Sequence, residues 1–312
     1  MLVRREAILL ELEASGSYKT DPVPTEADAI FADNIQWNND AKMLERSGPK
    51  DTLGKRKQQF GGRTASISFT AELKGSGTAG TAPEIAKALI ACGMRETIVA
   101  STSVTYQPDT EADSNGLRSC TIYYYQDGKL KKLLGARGQV SFEGNAQEYA
   151  KVNFTFFGHP VVDTDTTIID PTYVDLNPPQ FVNASFTQGG TSLEISKLMV
   201  DLGNEISKPL SVNAPTGIGE IRINSRDVKG TIDPEAVLNA TKNIYQEWEA
   251  GTAGVLDTGV VGSVAGNRWQ ITGQRSYLRN INEGDRESIR TNDLEIGFEE
   301  VSGDDEISLI FT

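Results

Sequence analysis

Apolar and polar residues alternate with period two through most of the chain, which restricts the fold to strands that bury one face. Ile67, Phe69, Ala71 and Leu73 alternate with Ser68, Thr70 and Glu72. Val152, Phe154 and Phe156 alternate with Lys151, Asn153 and Thr155, and Ile8, Leu10 and Leu12 form a similar set near the start. In TIYYYQDGKLKKLL, Asp127-Gly128 parts two apolar runs and supplies the positive φ angles of a tight hairpin. Two segments depart from this rhythm. In TAPEIAKALIACG, Thr81 can cap, Pro83-Glu84 suit a first turn, Ile85, Leu89 and Cys92 share a face, and Gly93 ends the run. In IDPEAVLNATKNIYQEWEAG, Asp233 is expected to cap and Pro234-Glu235 to open a helix, with Val237, Leu238, Thr241, Ile244, Tyr245 and Trp248 at helical spacing.

The order of these pieces repeats. Lys74-Gly75 and Lys229-Gly230 lie 155 residues apart, and the Pro-Glu pairs at Pro83 and Pro234 lie 151 apart. Matching the closing strand pairs sets Phe142 against Phe298 and Phe156 against Phe311, 156 and 155 residues apart. A near-constant spacing across unlike elements predicts two tandem copies of one β-rich unit, each with one flanking helix. The expected fold is mainly β, with one unit used twice. The expected boundaries are a first domain at 1–162, an extended linker at 163–180 around Pro171, Pro178 and Pro179, and a second domain at 181–312. At 312 residues each half can bury a core without metals or disulfides.

The halves differ in one place. The first inserts a long polar loop, about Trp37 to Gly62, where the second has the shorter GNEISKPLSVNAPTGIG. Lys50, Lys55, Arg56, Lys57 and Arg63 fall in or beside this insertion. Long loops in compact domains are usually functional or unstructured. This one reads as a solvated loop or as an arm whose cations meet an acidic copy of the same protein.

Elements of catalysis are sparse. The sole histidine, His159, precedes a proline at a strand end, and the two cysteines, Cys92 and Cys120, read as buried thiols. Neither a Cys/His metal site nor a Cys–His dyad has support in these spacings. Gly75, Gly77 and Gly80 make a literal G-x-G-x-x-G. The strand before them alternates instead of being uniformly apolar, and no βαβα rhythm follows, so they read as a strand-to-helix connector and no cofactor is expected. Asp109, Glu111 and Asp113 begin like a calcium loop, but Ser114 and Cys120 stand where glycine and glutamate are required. Asn183 and Asn239 match a glycosylation pattern without a secretory context. Glu6, Glu11 and Glu13 interrupt the first apolar stretch, unlike a secretory signal, so a cytoplasmic site of synthesis is expected. A net charge of −13 argues against tight nucleic-acid binding.

The stretches AILLELEASGSYKTDPVPTEADAI, GGRTASISFTAELKGSGTAGTAPEIAKALIACGM and TIYYYQDGKLKKLLGARGQVSFEGNAQEYAKVNFTFFG, followed by FTQGG, DLGNE and GIGEIRI, resemble the major tail tube proteins of long-tailed, non-contractile bacteriophages. The resemblance spans essentially the whole chain through the order of its motifs. It implies a β-sandwich or partial barrel of two packed sheets with one flanking helix in each domain, rings that stack into a hollow tube, and an insertion that reaches the next ring. Partners implied are copies of the chain, a tape-measure protein in the lumen during assembly, tail-tip and tail-terminator proteins, and double-stranded DNA in transit without tight binding. Rings of that family commonly hold six domains, so two domains per chain imply a trimeric, pseudo-sixfold ring. The other reading is a β-sandwich binding or adhesin module, which would cluster exposed aromatics. Trp37, Trp248 and Trp269 are instead scattered along the chain.

Overall fold

The computed structural model describes Leu2, residues 4–111 and residues 117–312. Asp113 and Ser114 of the calcium-like pattern lie outside the described residues. The first half carries β1 (Glu6–Leu12), β2 (Ala29–Ile30), β3 (Ala32–Leu44), β4 (Gln59–Glu72), α1 (Ala86–Ala91), β5 (Met94–Val99), β6 (Ser103–Pro108), β7 (Cys120–Gln126), β8 (Lys129–Asn145), β9 (Lys151–Pro160) and β10 (Thr164–Asp165). The second half carries β11 (Thr187–Gln188), β12 (Thr191–Ser192), β13 (Lys197–Asp201), β14 (Asn204–Ser207), β15 (Arg222–Arg226) and β16 (Lys229–Ile232). There follow α2 (Ile244–Glu249), β17 (Gly254–Asp257), β18 (Trp269–Arg286), β19 (Ile289–Glu299) and β20 (Ser308–Phe311). The protein is mainly β, as the alternation requires, and the Asp127-Gly128 hairpin joins β7 to β8 with Gln126 opposite Lys129.

All strand pairs between these elements are antiparallel, and their order recurs. In the first half the sheet runs β3–β4–β9–β8–β7–β1, with β2 on β1 and β10 on β8. In the second it runs β13–β16–β19–β18–β17–β11, with β12 on β11 and β20 on β18. This pairing matches β8–β9 to β18–β19 and β10 to β20. It does not match Phe142 to Phe298 or Phe156 to Phe311, as the spacing implied. The reason is which strand closes on the inner one: β9 pairs β4, and β19, not β20, pairs β16.

The halves are stitched together twice. β13 lies beside the end of β8, with Val200 opposite Phe142, and β20 pairs β6, with Ile310 opposite Thr105. One core runs through both halves. Within it Phe69, Phe154 and Phe156 stack with centroids 5.2–5.9 Å apart, Phe181 lies on Trp269 at 5.6 Å, and Tyr106 meets Phe311 edge-on at 5.9 Å. Each such ring taken out of water contributes about 1.5–3 kcal/mol. A second, smaller cluster of Ala7, Leu9, Ala29, Tyr123, Tyr125 and Leu130 lies on the other face of β1 and β7. Ile168, Ile169 and Tyr173, from the segment read as a linker, pack against it.

Both helices are shorter than their sequence signals. α1 starts after Ile85, not at Thr81, because Pro83 and Glu84 form a lead-in turn in which the Pro83 carbonyl accepts from the Ala86 N–H at 3.0 Å. Ala86, Ala88, Leu89, Ile90 and Ala91 are all buried, so the helix lies inside the core rather than flanking it. Asp233 does not cap α2. Its carboxylate accepts from the backbone N–H groups of Ser196 and Lys197 at 2.9 and 2.8 Å and pairs with Arg286 at 3.1 Å. The Pro234 carbonyl accepts from Asn292 N–H and Glu235 bridges Thr291, which keeps this segment in the sheet. The helix begins only at Asn243, whose side chain accepts from the Gln246 N–H at 3.1 Å.

Candidate assembly surfaces

The insertion expected as a loop is built on a hairpin. β3 and β4 stay paired from Ala32 opposite Ala71 out to Leu44 opposite Gln59, with register shifts after Asp33 and Ala41. Only residues 45–58 form an irregular tip. The correction has a plain cause: Thr64, Ala65, Ser66 and Ile67 continue the β4 alternation outward, and Asn38, Asn39 and Asp40 opposite them supply backbone pairing without needing a core. The arm is exposed along its outer length.

Lys50, Lys55, Arg56 and Lys57 gather at this exposed tip, where the Lys50 ammonium donates to the Gly54 carbonyl at 3.0 Å. Arg63 does not join them. It lies at the base on β4 and donates to the Val161 carbonyl at 3.1 Å. Between Asn38 and Arg63 stand seven Lys and Arg against three Asp and Glu, a net of +4 on a chain of −13. The arm also exposes Met43, Leu44, Leu53 and Phe60, with Phe60 57% exposed. Exposed apolar side chains and cations thus interleave along this hairpin. The base is anchored: Gly62 has φ +122, and a Cβ there would lie 2.3 Å from the Thr216 carbonyl oxygen. The Lys208 ammonium reaches Asp40 at 3.5 Å and sits 4.7 Å over the Phe157 ring.

A second class of surface carried no sequence signal. The outer edge of β3 pairs with no described strand, and neither does the outer edge of β5. Unpaired edges are templates for another chain. Along β3, Asp33, Asn34 and Gln36 are exposed, and Phe31 just before it is 49% exposed.

The remaining singled-out residues make contacts within the chain. His159 is buried, its Nε2 3.2 Å from the Tyr18 hydroxyl and 3.1 Å from the Gly219 carbonyl. Burial, with Lys19 nearby, holds its pKa below the ordinary value. Cys92 and Cys120 are free and buried, and burial raises both thiol pKa values. The glycine connector abuts the 264–268 turn of the other half. Gly77 N–H donates to Gly266 O at 2.9 Å, and a Cβ on Gly75 would stand 2.1 Å from that oxygen. These glycines serve close backbone approach. Glu13, which the sequence shows only as a charge interrupting the first apolar stretch, is buried and accepts from Lys19 N–H, Ser119 Oγ, Thr121 Oγ and Gly135 N–H at 2.6–2.8 Å, tying the end of β1 to β7 and β8. Its signal was a glutamate at the end of an apolar strand. Trp37, Trp248 and Trp269 sit in β3, α2 and β18, and Trp269 is buried. Among the described residues no group of three His, Cys, Asp or Glu could hold a metal, and no helix is long and apolar enough to cross a membrane.

Comparison with curated protein sequences returns no match. A family model described as phage tail tube protein matches residues 9–299. That span takes in the β3–β4 arm, the glycine connector and every strand from β2 to β19. By that near-complete match the chain belongs to the phage tail tube protein family.

Proposed function

We propose that this protein is the non-enzymatic subunit of the tail tube of a long-tailed, non-contractile phage, and that it assembles as trimeric, pseudo-sixfold rings stacked into a hollow conduit for DNA ejection. Family membership supports a structural tail tube subunit located in the virion tail. The finer reading rests on one observation: a projecting hairpin with a net charge of +4 on a protein of −13. Attraction between that arm and an acidic surface of another copy stacks one ring on the next, through Lys50, Lys55, Arg56 and Lys57 at the tip and Arg63 at the root. The recurring pairing order supports a tandem duplication, divided near residues 163–180, and two such units per chain support three chains per ring. The rest of the chain, with a formal charge of −17 once the arm is set apart, lets DNA pass by like-charge repulsion. The lumen holds a tape-measure protein during assembly in the host cytoplasm, and tail-tip and terminator proteins cap the two ends.

Negative-stain electron microscopy and mass photometry of the purified protein at high concentration test this reading. Tubes with a hollow centre and rings of three subunit masses are expected. A ring of six chains would refute the trimer, and a monomer at every concentration would refute unaided self-assembly.

A further inference from the structure

The joint between the two halves of one chain is a template for the joint between chains. Four-residue rows across the sheets fix which positions correspond. In the first half Ala32, Ala71, Val152 and Phe142 stand in one row across β3, β4, β9 and β8. In the second, Leu198, Ile232, Leu294 and Ile281 stand in the same row across β13, β16, β19 and β18. A detail outside the sheets supports the match. The N–H before each row start is held by a carboxylate that follows the neighbouring strand: Phe31 N–H by Glu84, and Lys197 N–H by Asp233.

Within the chain, β13 docks on β8 over Ser141–Asn145, with Leu198 opposite Gly144, Met199 opposite Glu143 and Val200 opposite Phe142. The corresponding stretch of β18 is Asn280–Gly284. Its outer edge pairs with no described strand, and the bulged Arg279 before it is flanked by Trp248, whose indole N–H donates to the Arg279 carbonyl at 3.1 Å. The strand corresponding to β13 is β3, whose outer edge is likewise unpaired.

We propose that the β3 edge of one copy pairs antiparallel with the Asn280–Gly284 edge of β18 in the next copy, in the register of the β13–β8 joint. This inference rests on the self-assembly reading and names the partner strands. The register sets Asp33 opposite Asn282 and Ala32 opposite Glu283, and the bulge of β3 between Asp33 and Gln36 brings Ile35 to the face of Ile281. Exposed Phe31 then covers Gly284, an aromatic over a glycine on a sheet edge. No like charges stand directly opposite. Ile35 and Ile281 are both partly buried against the core, so their contact extends it across the joint. Each chain offers one edge of each kind, which makes the contact head-to-tail and suited to ring closure.

The test is a pair of cysteines, Asp33→Cys with Asn282→Cys, in the full chain. Leu202 N–H donates to Val140 O, so even-numbered residues of that strand aim their backbone groups at β8, and Met199–Glu143 is the closer, non-hydrogen-bonded pair. Asp33–Asn282 inherits that geometry, which lies within disulfide reach. Cys92 and Cys120 are buried and do not compete. Oxidised tubes should give dimers and higher species on a non-reducing gel. Single-cysteine variants should not, and neither should Asp33→Cys with Asp285→Cys, displaced by about 10 Å along the strand. Hydrogen exchange on the wild type needs no variant: amides of both Ala32–Ile35 and Asn280–Gly284 should slow on assembly. Tubes without the link, or with either segment unprotected, overturn the pairing alone. Wild-type protein that forms neither tubes nor rings overturns the assembly reading and the pairing with it.

Discussion

Gly75→Ala probes whether the two halves are locked together at the glycine connector. Gly75 has an ordinary backbone φ, so alanine carries no conformational penalty there and any effect is steric. The new Cβ would stand 2.1 Å from the Gly266 carbonyl oxygen and 2.9 Å from the Asn267 Cα. Nonbonded heavy atoms rest about 3.5–4.0 Å apart, so the connector and the 264–268 turn must separate by more than about 1 Å. Overpacking of this kind costs about 1–3 kcal/mol. Separation also stretches two hydrogen bonds, Gly75 N–H to Asn267 Oδ1 at 3.0 Å and Gly77 N–H to Gly266 O at 2.9 Å. At about 1 kcal/mol each, the total comes to about 3–5 kcal/mol. At about 2–4 °C per kcal/mol for a large domain, the melting temperature should fall by about 6–20 °C in a calorimetric or fluorescence scan. Gly48→Ala is the control, because its Cβ would meet nothing within 4 Å, and a change within about 0.5 kcal/mol is expected. A Gly75→Ala protein that melts with the wild type would refute the close approach and the docking of the halves through it.

Glu13→Gln should lower stability by about 3 kcal/mol in denaturant titration, since a carboxylate accepting four hydrogen bonds is replaced by an amide that turns an N–H₂ toward two donors. Acid should weaken the fold through Asp28. Partial burial opposes ionisation, but the Lys87 ammonium and the Thr25 N–H at 2.7 Å outweigh it and bring the pKa down to about 2. A folded-state pKa below the unfolded value stabilises above the unfolded carboxyl range and is lost as pH falls through about 4 toward 2. Asp28→Asn should therefore cost stability at pH 7, with the gap from wild type closing by pH 2 in denaturant curves measured across that range. Lys55→Glu, Arg56→Glu and Lys57→Glu together should leave the melting temperature unchanged, since the tip is solvent-exposed, while abolishing tube elongation seen by electron microscopy. Native protein should resist thiol reagents at both cysteines until it unfolds, because burial raises the thiol pKa and blocks access.

Much of the β content was legible because period-two alternation is a local property: each residue from Ile67 to Leu73 declares its face through its neighbours alone. Asp127-Gly128 was legible for the same reason, since a turn needs only its own φ angles. The cations of the arm were visible as composition. Their division into a tip cluster and a basal Arg63 was not, because it depends on how far β3 and β4 remain paired. The helix at Asp233 misled because the cap signal is also a good strand cross-link. Once Ser196, Lys197 and Arg286 surround that carboxylate, the sheet holds it. The closing-strand match failed because hydrophobic spacing does not state which strand a strand will pair.

By itself the sequence determined that most of the chain is half-buried strand, where the tightest turn falls, and that a polar, basic stretch lies between Trp37 and Arg63. All of these follow from short-range periodicity and turn chemistry. The tertiary structure decided that β13 docks on β8 and β20 on β6, that Glu13 ties three strands, and which edges of β3 and β18 stay unpaired. Those outcomes depend on contacts between residues far apart in the chain, where backbone hydrogen bonds are chemically identical for every candidate partner and only the competition for a shared core selects among them.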